Sequence, residues 1–197
     1  REDSPEVMDY LIGAYLQWIG QGADAFRIDT VSLMPGEFWD RFTARIREKH
    51  PGYFMFGEVF DYDAAKIAAY TQPGGGSISV LDFPLKQQLA QVFGREGGGY
   101  ALLGPALFLE GGPYRNPYEL MTFYDNHDMA RLDASDAGFI DAHHWLFTAR
   151  GIPVVYYGSE IGFERGSPEL AGNRNYFGTE GIEAARAHPI RAALARI

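Results

Sequence analysis

Short apolar runs alternate along this sequence with amphipathic helical stretches, and residues of catalytic type gather at the carboxyl ends of the runs. Together these predict an α/β fold, with parallel strands joined by crossover helices and closed as in a TIM (β/α)8 barrel. Alternation alone does not separate a barrel from an open doubly wound sheet. The polar groups do: Arg27 and Asp29, then Glu58, then Asp125, Asn126, His127 and Asp128, then Ser159 and Glu160 follow successive runs. A barrel brings all its strand ends around one axis, whereas an open sheet would spread such residues out. The open-sheet alternative also lacks its usual signature, because Gly74-Gly75-Gly76 and Gly97-Gly98-Gly99 do not have the flanks of a dinucleotide or P-loop turn.

Each element has a local reason. Ser4-Pro5 starts the first helix, as N-cap and first helical residue. Val7, Met8, Leu11, Ile12, Tyr15, Leu16 and Ile19 continue it at helical spacing, and Gly20 and Gly22 end it. Ala25 to Val31 reads as a strand. After the Pro35-Gly36 loop, Phe38, Trp39, Phe42 and Ile46 mark a second helix that stops at His50-Pro51-Gly52. Next come a strand over Tyr53 to Phe60, a helix over Asp63 to Tyr70, a strand over Ile78 to Leu81 and a helix over Leu85 to Phe93. Gly94 to Pro117 is a Gly- and Pro-rich connection with a short helix at Ala101 to Leu109. Leu120 to Tyr124 is a strand, Ala137 to Ala149 a helix, Gly151 to Tyr157 a strand, and Gly181 to Ile197 a final helix.

Composition narrows the function classes. Hydrophobic residues make up 46% and charged residues 22%, so the chain has material for a core. A formal charge of -9 argues against nucleic acid as a partner, since phosphate tracking needs a basic surface. No run approaches the ~20 apolar residues of a membrane helix, which argues against a membrane partner. With no cysteine there is neither a disulfide framework nor a thiolate metal site. The chain opens on Arg1 with a helix signal already at position 5, and is therefore expected to be part of a longer one.

The acids point to the chemistry. Glu58 follows Asp29 by 29 positions, about one strand-helix unit, and Asp128 follows Glu58 by 70. Carboxylates at the ends of apolar strands are costly unless paired or employed. One alone reads equally well as a cap or an ion pair; three, with Arg27 and His127 beside them, suggest a common cleft. Glycosidic cleavage uses such a set. One carboxylate attacks the anomeric carbon and a protonated one protonates the leaving oxygen, at about 5–5.5 Å in the retaining geometry. A third, ionised, raises the proton affinity of the acid and stabilises positive charge on the ring.

Four segments then resemble a known family. Ala25-Phe26-Arg27-Ile28-Asp29-Thr30-Val31, Phe56-Gly57-Glu58-Val59, Phe123-Tyr124-Asp125-Asn126-His127-Asp128 and Gly151 to Glu160 resemble ordered motifs of the α-amylase family of retaining glycoside hydrolases, its maltodextrin- and cyclodextrin-processing branch in particular. The resemblance implies that Asp29 is the nucleophile, Glu58 the general acid and later base, and Asp128 the third acid. It implies that Arg27 holds Asp29 ionised and that His127 bonds the same sugar. Asn173-Arg174 resembles the family's loop pair, with Arg174 reaching a sugar further toward the non-reducing end. The segment before the pair departs from the family spacing, which leaves Glu169 as no more than a candidate for the acid usual there. Phe60, Tyr62 and Tyr124 can stack on sugars or pack internally.

The resemblance also implies which part of the fold is present: about strands 4–8, the C-terminal part of an incomplete barrel. Residues 1–197 are then a partial catalytic domain, without strands 1–3 and the loop domain inserted after the third. Such a fragment is expected to expose strand edges and to be inactive or poorly folded alone. Ser32 and Leu33 replace the family's frequent Lys-His, so a lysine toward the leaving-side sugars is missing. No metal ligand is assigned and no cofactor is required by these residues; calcium in the full-length parent is left open, the carbonyl of Leu33 being one ligand many members use. His143-His144 lacks the i, i+4 spacing of a helical zinc site and reads as helix core and surface. The expected activity is hydrolysis of α-glucosidic bonds in starch-like glucans or maltooligosaccharides. The alternatives are transglycosylation of the cyclodextrin glucanotransferase kind and a non-catalytic relative. A secreted or periplasmic location is favoured over the cytoplasm, and the oligomeric state is open.

Overall fold

The computed structural model describes residues 4–95 and 97–197, which form two compact units. The first comprises the chain up to Leu81 with Glu110–Met121, the second Asp82–Leu109 with Thr122–Ile197.

The first unit opens with α1 (Pro5–Gly20), where the Ser4 hydroxyl accepts from the Val7 N–H at 3.4 Å. It continues through β1 (Ala25–Ile28), α2 (Gly36–Lys49), β2 (Phe54–Gly57), α3 (Ala64–Ala68) and β3 (Ser79–Val80). The three strands are parallel and lie in chain order, with Ala25 opposite Phe54, Ile28 opposite Gly57 and Gly57 opposite Val80. Leu81 extends the pattern by a parallel bridge to Met121. Strands that keep their order, with helices between them, agree with the barrel expectation.

The apolar stripe of α2, with Phe38, Trp39, Phe42 and Ile46, is buried, as its spacing demands. Tyr15 meets Phe26 and Phe42 edge-on at ring separations of 4.7 and 4.9 Å. The Gly74-Gly75-Gly76 triplet docks on the same helix. Gly76 N–H donates to Asp40 Oδ1 at 2.7 Å, and Thr43 Oγ1 donates to the Gly76 carbonyl at 2.9 Å. Its glycines thus serve loop packing.

The second unit holds α4 (Phe83–Phe93), α5 (Gly104–Leu107), α6 (Asp136–Thr148), β5 (Ile152–Pro153), α7 (Gly178–Ala185) and α8 (Pro189–Leu194), while β4 (Met121–Thr122) spans the boundary in the chain. Val154 N–H donates to the Thr122 carbonyl at 2.8 Å. Leu85, Leu89, Phe93, Leu132, Phe139, Leu146 and Ile190 form the core. Each such side chain contributes roughly 1.5–3 kcal/mol by leaving water. A fully buried ion pair ties this core to the Gly- and Pro-rich connection. Asp82 caps α4 by accepting from Leu85 N–H at 3.2 Å, and Arg150 Nη1 reaches its other oxygen at 2.5 Å. Arg150 also donates to the carbonyls of Leu107 and Ala106, each at 2.7 Å, which pins α5.

All five expected strands are present, and all are shorter than expected. The strand expected over Ala25 to Val31 ends at Ile28, because Thr30 turns left-handed at φ 47° and Val31–Leu33 form a 3-10 turn. The single helix expected over Gly181 to Ile197 is two. Pro189 has no N–H to donate and disfavours helical backbone at His188, which is extended at ψ 136° and instead caps α8, its ring accepting from Ile190 N–H at 3.3 Å. No helix among the described residues is long and apolar enough to cross a membrane.

Candidate active site

In the first unit, β1 and β2 deliver Arg27, Asp29 and Glu58 to one place. Asp29 lies one residue beyond the carboxyl end of β1 and Glu58 one residue beyond that of β2. The adjacent register of those strands makes them neighbours. Arg27 Nη1 donates to Asp29 Oδ1 at 2.7 Å, and its Nη2 lies 3.5 Å from Glu58 Oε1. The Asp29 side chain is 63% exposed and that of Glu58 only 9%. Burial, first, and a hydrogen bond with Asp29, second, push the Glu58 carboxyl above the usual glutamate range; Arg27 opposes them and the Asp29 charge adds to them. One acid is therefore open to solvent and charge-paired, while its neighbour is sheltered and favours its proton. Different surroundings thus set the two carboxyls apart.

The backbone beneath them is tightly held. Glu58 N–H donates to the Ile28 carbonyl at 2.9 Å, and the Glu58 carbonyl accepts from Val31 N–H at 3.0 Å. Trp39 Nε1 donates to the Val31 carbonyl at 2.8 Å. Thr30, a β-branched residue in left-handed backbone, stands between Asp29 and Val31, the kind of local strain that surrounding structure must impose. Gly57 has no room for a side chain, since a Cβ there would lie 2.4 Å from Val31 Cγ2.

In the second unit, His127, Asp128, Asn173 and Arg174 form another cluster. Asp128 Oδ1 accepts from Arg174 Nη2 at 2.5 Å, and Oδ2 lies 3.0 Å from His127 Nε2. Arg174 Nε donates to the His127 carbonyl at 2.8 Å. Asp128 N–H donates to Asn126 Oδ1 at 2.9 Å. Arg174, expected to reach a sugar, here holds Asp128. Asn173 was legible only as the residue before Arg174; its full burial and its bonds to the loop on either side of Asp128 are findings of the structure.

The remaining candidates separate cleanly. Tyr124 is a core residue, buried among apolar side chains, with its hydroxyl 2.9 Å from His143 Nε2, so the sugar-stacking alternative does not hold for it. Phe60 and Tyr62 are both exposed, with ring centroids 5.8 Å apart. His143 is buried and His144 exposed, as expected of a helix core and surface pair. Asp125 is buried and structural, accepting from Ser159 Oγ at 2.9 Å and Leu132 N–H at 3.2 Å. No group of three or more His, Asp or Glu among the described residues is arranged to hold a metal ion.

A family profile described as "Alpha amylase, catalytic domain" matches residues 2–184. The chain belongs to that alpha-amylase family. The TIM barrel is the fold of this family's catalytic domain, in accord with the parallel, chain-ordered strands of the first unit. An alpha-amylase of Streptomyces lividans is 35% identical over 184 residues, which cover 82% of this chain and 20% of that protein. A cyclomaltodextrin glucanotransferase of Bacillus sp. (strain 38-2) is 35% identical over 157 residues, covering 77% of this chain and 22% of that protein. Among solved structures, the alpha-amylase from Geobacillus thermoleovorans, complexed with acarbose, superposes with a TM-score of 0.79 at 29% identity, over 99% of this chain and 46% of that one. The chain thus spans about a fifth of the length of these two sequence relatives.

Proposed function

We propose that this chain carries the catalytic acids of a retaining glycosidase that cleaves α-glucosidic bonds of starch-like glucans or maltooligosaccharides. The observation that carries the proposal is the sheltered Glu58 beside the exposed Asp29 on adjacent strand ends, with Arg27 touching both. Neighbouring strand ends suit the close pair of a retaining mechanism, about 5–5.5 Å apart, better than an inverting pair, which stands about 6.5–9.5 Å apart to admit a water. Asp29 attacks the anomeric carbon and forms the glycosyl-enzyme while Glu58 gives its proton to the leaving oxygen. Glu58, now ionised, then takes a proton from the incoming water, which releases the sugar. Asp128, His127 and Arg174 bind the sugar, an assignment that rests on their motif. These residues require no cofactor.

We further propose that the chain corresponds to about strands 4–8 of the barrel, the C-terminal part of a longer catalytic domain; its coverage of less than half of the Geobacillus thermoleovorans chain supports this. Transglycosylation is the second reading, favoured by the cyclomaltodextrin glucanotransferase likeness. A sugar hydroxyl then replaces water in the second step, and the same residues serve.

The test incubates the full-length parent with maltoheptaose, with and without Asp29→Asn. Turnover with retained anomeric configuration, lost in the variant, is expected. Linear short products would indicate hydrolysis, and cyclic or elongated ones transfer. A variant as active as the parent would remove Asp29 from its role.

A further inference from the structure

Asp128 sits on an irregular loop, His127 to Met129, and something must fix the direction of its carboxylate. We propose that Asn173 is the positioning residue for Asp128, clamping the loop backbone on both sides of it; this rests on the assignment of Asp128 above. Asn173 is fully buried and uses every hydrogen-bonding group of its amide. Nδ2 donates to the His127 carbonyl at 2.6 Å and to the Met129 carbonyl at 3.1 Å, one residue before and one after Asp128. Oδ1 accepts from Leu170 N–H at 3.0 Å, so the bonding pattern fixes the amide orientation.

The asparagine is itself secured. Its carbonyl accepts from the Tyr156 hydroxyl at 2.9 Å, and the buried Arg131 guanidinium lies 4.5 Å from the Tyr156 ring centroid. The two ends of the clamp are 46 and 44 residues from Asn173 in sequence. The Arg174 contact to Asp128 Oδ1 differs in kind, being an exposed ion pair that an arriving sugar hydroxyl can displace. Asn173 fixes where the carboxylate starts, and Arg174 occupies it until substrate takes over.

A group acting through another in this way changes kcat more than affinity, because a displacement near 1 Å costs on the order of 10²-fold in rate. In the full-length parent acting on maltoheptaose, Asn173→Ala is expected to lower kcat by about 10²-fold with KM within about threefold. Asn173→Asp keeps the size and the Leu170 bond but removes both donors, so it is expected to be at least as damaging. If packing alone mattered, the aspartate would restore kcat, and that overturns the proposal. Tyr156→Phe, a milder change, is expected to fall between the parent and Asn173→Ala. Amide exchange at Asp128 and Met129, followed in the full-length parent, should speed up in each Asn173 variant that folds. Unchanged exchange overturns the clamp even if the parent turns over no maltoheptaose, an outcome that would count separately against the glycosidase reading.

Discussion

Replacing Gly57 with alanine should damage both the sheet and the acid beside it. The new Cβ would lie 2.4 Å from Val31 Cγ2, 3.3 Å from Val31 Cβ and 2.9 Å from Ile78 Cδ1. Carbon atoms prefer about 3.5–4.0 Å, so the shortfall against Val31 exceeds about 1 Å. The Ile78 atom is the end of a flexible side chain, but Val31 is β-branched and has little rotamer freedom. Val31 is also fully buried and held by backbone bonds to Glu58 and Trp39. The strain should therefore fall on β2, at the Glu58 N–H to Ile28 carbonyl bond. Overpacking costs typically about 1–3 kcal/mol, and loss of one hydrogen bond adds roughly 1 kcal/mol, giving about 2–4 kcal/mol in all. Urea unfolding of the chain followed by tryptophan fluorescence is a suitable assay, since Trp39 adjoins the contact. Val31→Ala in the same background removes the worst contact, so the double variant should lose at least ~1 kcal/mol less than the sum of the singles. Additive losses, or a Gly57→Ala loss below about 0.5 kcal/mol, would refute the reasoning.

Three further outcomes follow from the same geometry. Asp29→Asn removes a like charge that favours the Glu58 proton and adds an amide donor that favours its anion, so the Glu58 carboxyl should titrate at lower pH than in the parent by carbon-13 NMR; an equal or higher midpoint contradicts the pairing. Arg150→Met strands the fully buried Asp82 and should cost about 3–5 kcal/mol in denaturant, whereas Asp82→Leu with Arg150→Met should recover much of it; a loss under ~1 kcal/mol for the single change would mean the pair matters little. Burial holds the His143 ring below its ordinary value of 6.5, so the fold binds the neutral form: its contribution is whole above about pH 6.5 and fades as pH falls below it. His143→Gln should flatten that acid limb in urea midpoints taken against pH, and an unchanged limb assigns it to another group.

Helix starts and strand positions were largely legible in the sequence because their signals are local. Ser4-Pro5 set α1, and the four aromatic and aliphatic residues of α2 marked its buried face. The strand ends were not legible. Thr30 and Val31 are β-formers, and only distant bonds such as Val31 N–H to the Glu58 carbonyl force the left-handed turn that ends β1. The break at Pro189 had a local signal, outweighed by the apolar pattern around it. Asp29 and Glu58 were legible as neighbours because successive strand ends carry them. Tyr124 could not be placed from its neighbours: its contact with His143 spans 19 residues and crosses from a loop to a helix. The clamp at Asn173 depends on still more distant partners.

Count the formal charges around Arg27: one guanidinium, and two carboxyls that would both be anions if ionised. A lone cation balances one of them, and the cheapest neutraliser for the other is a hydrogen ion. Burial and the Asp29 charge both act on Glu58 in that direction, so the arrangement favours one hydrogen ion held there over two full anions. A second arginine or lysine placed here would work against that preference and favour both carboxyls as anions.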